Sequence, residues 1–222
     1  MELKLQRFRI SSVLNSFFFP LTSPEVFDAL KARGFEIGRP PIPFPTGLRV
    51  YLSGTIARKG SVLIDVDDNR NLVGVSGESI ENSLKAFSEV LSMLREDFFV
   101  NLDAELNYVE LIAHYLIKTD NNPFEVLQNS SEIRFKDKLQ QILNTNVSEY
   151  RISIVPTGVL PLSRKWFEIS ISPKLTMPTK AYWVEVIFRD TTHNTVTAFA
   201  SNLNSTISNI ISTLEGNSST GE

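Results

Sequence analysis

Residues 62–94 read VLIDVDDNRNLVGVSGESIENSLKAFSEVLSML, a stretch in which the hydrophobic period changes once. Val62, Ile64 and Val66 alternate with Leu63 and Asp65, and residues 72–76 are mostly apolar, so both segments are predicted to be β-strands. From Ser79, a residue type that caps helices, the period becomes 3.6 residues, which predicts an amphipathic helix. Its apolar stripe consists of Ile80, Leu84, Phe87, Val90, Leu91 and Leu94.

The same pattern recurs 123 positions further along the chain, where residues 185–217 align with residues 62–94 without a gap. The aligned pairs are Asp67 with Asp190, Asn71 with Asn194, Val73 with Val196, Ile80 with Leu203, Leu84 with Ile207, Phe87 with Ile210 and Leu91 with Leu214. The sequence therefore predicts a tandem duplication of one unit, with two half-domains related by a pseudo-twofold axis.

The segments around this stretch complete the unit in the first half. Residues 8–19 form a predicted strand, and Ser23 with Pro24 begins a short helix that stops at Gly34. The proline-rich residues 38–45 exclude regular structure, because each proline lacks a donor and fixes φ. Strands are expected at 48–57, 61–67 and 72–76.

The second half has a related order with additional elements. Residues 104–118 alternate as a long strand, and helices are predicted after Pro123 and over 132–144. The later predictions are strands near 150–155, 166–172, 182–189 and 195–200, and a final helix capped by Asn202 or Asn204.

Each half thus reads as strand, helix, three or four antiparallel strands and helix, with the helices on one face of the sheet. We predict an α+β protein with half-repeats at residues 1–100 and 101–216 and a polar, disordered tail at 217–222. In topology alone this order resembles the TATA-box-binding-protein and helix-grip folds. The resemblance carries no expectation of function, since topology and activity are separable.

Composition limits the classes of function. Lys and Arg total 22 against 25 Asp and Glu, and neither half is basic, which argues against a general nucleic-acid binder. The chain has no cysteine, which excludes disulfides and thiolate chemistry. It also lacks an apolar run of the ~20 residues that a membrane span needs and a signal-peptide pattern, so we expect a cytoplasmic protein.

No pattern of metal ligands or cofactor-binding loops is complete. Asp65, Asp67 and Asn69 begin like a calcium loop, but Arg70 stands where that loop requires glycine, so a polar hairpin turn is the better interpretation. Phosphate-binding and dinucleotide motifs are missing, so we expect no cofactor.

The chain contains two histidines. His114 shares a strand face with Glu110, with Ile112 between them, and we expect a partly buried structural histidine rather than a ligand. His193 falls in a predicted turn, where it should be solvated.

Two further features suggest a surface for a ligand or a partner. Arg39, Pro40 and Pro43 form a polyproline-type motif, although a rigid crossover explains it as well. Trp166 and Trp183 each begin a predicted strand and are candidates for the mouth of a ligand site, with packing against helices as the alternative. The candidate surface therefore comprises Arg39, Pro40, Pro43, Glu110, His114, Trp166 and Trp183.

Three functions remain open at this point. The first is a non-catalytic intracellular interaction or scaffold protein, which binds a protein partner or a second copy of itself. The second is a binder of a small apolar molecule in a cavity between the sheet and the long helices. The third is a hydrolase or isomerase that uses carboxylates such as Glu110, Glu168 and Glu185.

Overall fold

The computed structural model of the protein describes residues 1–15, 21–38, 53–130 and 136–217. In these residues the chain is α+β, with nine strands and seven α-helices. The strands are β1 (Glu2–Leu14), β2 (Glu36–Ile37), β3 (Ser53–Lys59), β4 (Val62–Asp67), β5 (Leu72–Gly77), β6 (Leu106–Lys118), β7 (Ile152–Ile154), β8 (Trp166–Lys174) and β9 (Met177–Asp190). The helices are α1 (Pro24–Ala32), α2 (Ile80–Glu96), α3 (Leu102–Glu105), α4 (Pro123–Asn129), α5 (Lys136–Leu143), α6 (His193–Ser201) and α7 (Leu203–Asn217).

All nine strands form one antiparallel sheet in the order β2-β3-β4-β5-β1-β6-β9-β8-β7. The two longest neighbours, β1 and β6, pair along the middle of the sheet, so residues from both halves share one continuous set of hydrogen bonds. In each half the last strand of the meander pairs with the strand that opens that half, β5 with β1 and β9 with β6.

One face of the sheet carries the hydrophobic core. Buried side chains of α1, α2, α4, α6 and α7 join one apolar cluster with those of the central strands. Two of the predicted helix starts are confirmed by capping, because the Ser23 and Ser79 hydroxyls accept hydrogen bonds from backbone N–H groups three residues later. Leu72 and Val13, which pair with each other across β5 and β1, are buried outside this cluster.

We call the other side of the sheet the open face. Because directly opposed residues of antiparallel strands point to the same side, the strand register assigns its members. They are Lys4, Arg7, Arg9 and Ser11 of β1, Glu110, Ile112, His114 and Leu116 of β6, Trp183, Glu185, Ile187 and Arg189 of β9, and Trp166, Glu168, Ser170 and Ser172 of β8.

The strand predicted at 195–200 is wrong, because these residues lie in α6. The Thr192 hydroxyl accepts a hydrogen bond from the N–H of Thr195 and starts a helix in which Val196 and Ala200, four residues apart, are buried. The offset of 123 positions consequently pairs strand β5 with helix α6, and the ungapped alignment does not superpose secondary structure there.

Several boundaries also differ from the expectations. The first strand begins at Glu2 rather than at residue 8, and the final helix extends to Asn217. The predictions on Phe17, Phe18 and Phe19, on the proline-rich segment from residue 39 and on residues 48–52 lie outside the described residues, as do residues 218–222 of the predicted tail. No described helix is long and apolar enough to cross a membrane.

Candidate functional site

Four of the residues that the sequence singled out share the open face. Glu110 and His114 lie on β6, Trp183 lies opposite Leu116 on β9, and Trp166 begins β8 as expected. Trp183 is in the middle of β9 rather than at its start, because that strand begins at Met177. The other candidates, Arg39, Pro40 and Pro43, lie outside the described residues.

Glu110 and Arg189 form a shielded ion pair across β6 and β9. The Arg189 Nε donates to Glu110 Oε2 at 2.6 Å, and the Glu110 side chain is only 5% exposed. A second guanidinium nitrogen donates to the carbonyl of Pro161, and the rings of Tyr108 and Trp166 lie 5.5 and 5.6 Å from the guanidinium carbon. The pair joins two strands to the loop before β8, so its geometry is that of a structural contact.

Trp183 is the centre of a second group. The His114 ring lies 5.6 Å from it between centroids, and the Lys174 Nζ lies 3.8 Å from its centroid. The indole N–H donates to Glu185 at 3.3 Å, and the other oxygen of that carboxylate accepts a hydrogen bond from Arg151. Two cationic side chains, a carboxylate and two aromatic rings thus occupy adjacent positions on a half-buried surface.

The surroundings of His114 favour the neutral form of its imidazole. Burial lowers the pKa of the imidazole, and Arg7 lowers it further, whereas the Glu185 carboxylate raises it. A neutral imidazole has one donor and one acceptor nitrogen, and the His114 ring adds its surface to this face beside Trp183.

The central strand β1 carries a stripe of cations on the open face. Lys4 and Arg7 are exposed and Arg9 is half-buried, and among the described residues none of the three has an ion-pair partner. The Nε of Arg9 is buried without a hydrogen-bond partner. The indole N–H of Trp166 on the same face is likewise buried without a partner. A buried donor without an acceptor is destabilising, so both groups would gain from an added acceptor.

The carboxylates proposed for catalysis each have another partner. Glu168 accepts a hydrogen bond from Ser170 at 2.9 Å, whose hydroxyl also lies 2.6 Å from that of Ser153. Glu110 and Glu185 are bound to arginines as described above. These contacts hold the three carboxylates in place on the open face.

The aspartates of the apparent calcium loop also take part in local structure. Asp65 accepts from Thr55 at 2.6 Å and from Ser76 at 2.8 Å, and Asp67 accepts from the N–H of Asn69. They stabilise the β3–β4–β5 meander and its turn. Among the described residues no three His, Asp or Glu side chains converge on a possible metal position.

Sequence reasoning missed a serine–histidine pair on the helix side of the sheet. His193 is half-buried rather than solvated, and its Nε2 lies 2.9 Å from the Ser12 hydroxyl, with the Phe87 ring 6.0 Å away. Ser12 is fully buried, and its contact with His193 joins β1 to α6. Burial lowers the pKa of His193, Arg95 lowers it further and Asp103 raises it.

The cations of β1 were also missed, although the signal was present. Arg7 and Arg9 flank Phe8 in an alternating strand, which places them together on the side opposite the core. No known protein-family model and no curated protein matches this chain.

Proposed function

We propose that the chain is a non-catalytic interaction protein whose open face binds an acidic segment of a polypeptide partner. The observation that carries the proposal is the stripe of Lys4, Arg7 and Arg9, which lacks ion-pair partners among the described residues. Apolar Ile112 and Leu116 lie beside it on β6. A partner that brings carboxylates and apolar side chains would satisfy both kinds of surface.

The charges on the same face favour a polypeptide over a nucleic acid. Glu185 on β9 lies two strands from the cationic stripe and Glu168 on β8 lies three, and the whole chain carries a net charge of −3. A phosphate backbone would meet these carboxylates wherever it extended beyond the stripe. Carboxylates of a peptide can be spaced to contact the arginines alone.

The proposal includes a duplicated origin for the two halves. Its support is the shared order of elements, in which a central strand is followed by a helix and by a meander that returns to that strand. In this interpretation β5 and β9 are equivalent, rather than β5 and α6 as the offset of 123 positions implies.

A charge-reversal experiment tests the binding surface. The probe is poly-L-glutamate, and its affinity is measured for the natural chain and for a variant that combines Arg7→Glu with Arg9→Gln. We expect at least a tenfold loss in the variant. Lys85→Glu, on the exposed side of α2, is the matched control and should leave the affinity unchanged.

The same titration with poly-uridylate separates the alternatives. Stronger binding of the RNA than of poly-L-glutamate, lost in the same variant, would replace the polypeptide partner with a nucleic acid. No binding of poly-L-glutamate, or equal loss in Lys85→Glu, would contradict the proposed surface.

A groove on the helix side supports a second candidate function. It has a volume of about 590 Å³ and lies where the start of α2 approaches the junction of α6 and α7. Leu5, Ile80 and Leu84 provide its apolar lining, and Asn204 is bonded to the Tyr115 hydroxyl at its edge. Binding of a small apolar molecule there would appear as a discrete excess mass in native mass spectrometry, lost on denaturation.

A further inference from the structure

The exposed apolar side chains of this protein are concentrated near one edge of the sheet. Strand β7 is that edge, and the chain on both sides of it is apolar and accessible. The exposed large residues there are Tyr150, Ile154, Val155, Val159, Leu160 and Leu162, the last of them 95% exposed. Such a concentration is unusual for a surface in contact with water alone.

The backbone of β7 is available for pairing on its outer side. Its strand partner is β8, and among the described residues no other backbone group is hydrogen-bonded to residues 152–154. Residues 152–163 contain no charged side chain, whereas natural edge strands usually carry charges that prevent the addition of another strand. The opposite edge has this protection, because Glu36 of β2 forms an ion pair with Arg58.

We propose that β7 pairs with β7 of a second copy of this chain, antiparallel and about a twofold axis perpendicular to the sheet. The two nine-stranded sheets then become one continuous sheet, with both helix layers on the same side. This proposal is independent of the binding function assigned to the open face.

The sequence of β7 favours a second copy over an unrelated strand. The segment Ile152-Ser153-Ile154 reads the same in both directions, so an antiparallel twofold places Ser153 opposite Ser153 of the second copy and Ile152 opposite Ile154. Ile152 already packs against the core, and the isoleucine pairs would extend that apolar surface across the interface.

The charges nearby are compatible with this register. Arg151 would face Val155 of the second copy rather than another arginine, and its guanidinium is already bonded to Glu185. The exposed apolar residues from Val155 to Leu162 follow directly on β7 and would lose water contact near the axis.

Sedimentation and native mass measurements test the assembly. The natural chain is expected at twice 25.0 kDa, and Ile154→Lys, a change at a surface residue that places a charge in the interface, should give 25.0 kDa with an unchanged circular dichroism spectrum. Phe99→Lys is the control, because it places the same charge on an apolar residue that is even more exposed than Ile154 but lies in the α2–α3 connection, and this variant should remain dimeric. A monomeric natural chain, or a dimeric Ile154→Lys variant, would overturn the proposal.

Cysteine cross-linking tests the register, and the natural chain has no cysteine to interfere. Directly opposed residues have Cα atoms about 4.5–5.5 Å apart, within the range for a disulfide, so Ser153→Cys should cross-link two copies on oxidation. In the same register two Ile154→Cys residues would lie about 8 Å apart, too far for a disulfide. Cross-linking of Ile154→Cys but not of Ser153→Cys would reject the proposed pairing.

Discussion

The side chains of strand β1 alternate between the two faces of the sheet. The two sets differ in whether other residues of the chain bury or neutralise them. Phe8 and Ile10 point into the core and are fully buried by the helices. Arg7 and Arg9 point to the open face, where the described residues offer them no carboxylate. The helix face is therefore completed within this chain, whereas the arginines of the open face carry positive charge that the described residues do not neutralise.

The largest effect should come from the helix face. Phe8→Ala removes a fully buried ring and leaves a cavity between the sheet and the helices, so we expect a loss of about 4 kcal/mol in the free energy of unfolding. Arg7→Ala, the adjacent residue on the open face, should change it by less than about 0.5 kcal/mol. Urea denaturation measures both values, and comparable losses would mean that the two faces are equally important for stability.

The next largest effect is expected at the shielded ion pair of Glu110 and Arg189 on the open face. Glu110→Gln removes the negative charge beside Arg189, whose guanidinium is mostly shielded from water, and we expect a cost of about 3 kcal/mol. Glu36→Gln removes one partner of an exposed pair with Arg58 and should cost less than about 1 kcal/mol. Equal losses in urea denaturation would contradict the structural role assigned to Glu110.

A smaller effect is expected where β5 approaches β1 on the open face. A Cβ atom at Gly74 would lie 2.7 Å from the Cβ of Ser11 and 3.1 Å from the backbone oxygen of Ile10. Gly74→Ala should therefore cost about 2 kcal/mol through overpacking. Gly38→Ala, with no atom within 4 Å of its Cβ position, is the control and should be neutral or slightly stabilising in thermal unfolding.

Much of the fold could be predicted from local sequence signals. The caps at Ser23 and Ser79 and the apolar stripe of α2 are encoded within one or two turns, so these helices are where the sequence placed them. Residues 195–200 were mistaken for a strand because Thr-Val-Thr-Ala alternates apolar and polar side chains. The cap at Thr192 and the burial of Val196 and Ala200 stabilise a helix there. This burial depends on tertiary packing, which the local sequence does not show.

The candidate site was accessible to sequence reasoning only in part. Alternation along β6 placed Glu110 and His114 on one face, as the structure has them. Their contacts with Arg189 and Trp183 depend on the pairing of β6 with β9, residues about 70 to 80 positions apart in the chain, and on a strand register that no local pattern encodes.

Each face of the sheet carries one histidine, so the two faces can be compared through effects of pH. Burial holds the pKa of His193 below its usual value, so the unfolded chain binds more protons as the solution becomes acidic. The neutral His193 side chain therefore contributes its full stabilisation above about pH 6.5, the pKa of histidine in the unfolded chain. This contribution is lost as the pH falls toward the lower pKa of the folded state. We expect urea midpoints of the natural chain to decrease more between pH ~7.5 and ~5.5 than those of His193→Gln. Parallel profiles would show that His193 contributes nothing to this dependence.

The smallest effect is a change in the titration of His114 on the open face. Burial is the main cause of the lowered pKa of this imidazole; the Glu185 carboxylate opposes that lowering, and Arg7 adds to it. In NMR titrations, Glu185→Gln should therefore lower the pKa of His114 further, and Arg7→Gln should raise it. Glu168→Gln removes an equal charge one row away and is the control. If Glu168→Gln shifted His114 as much as Glu185→Gln, the charges of the open face would act as a diffuse field, and a partner would be recognised by net charge instead of by the positions of Arg7 and Arg9.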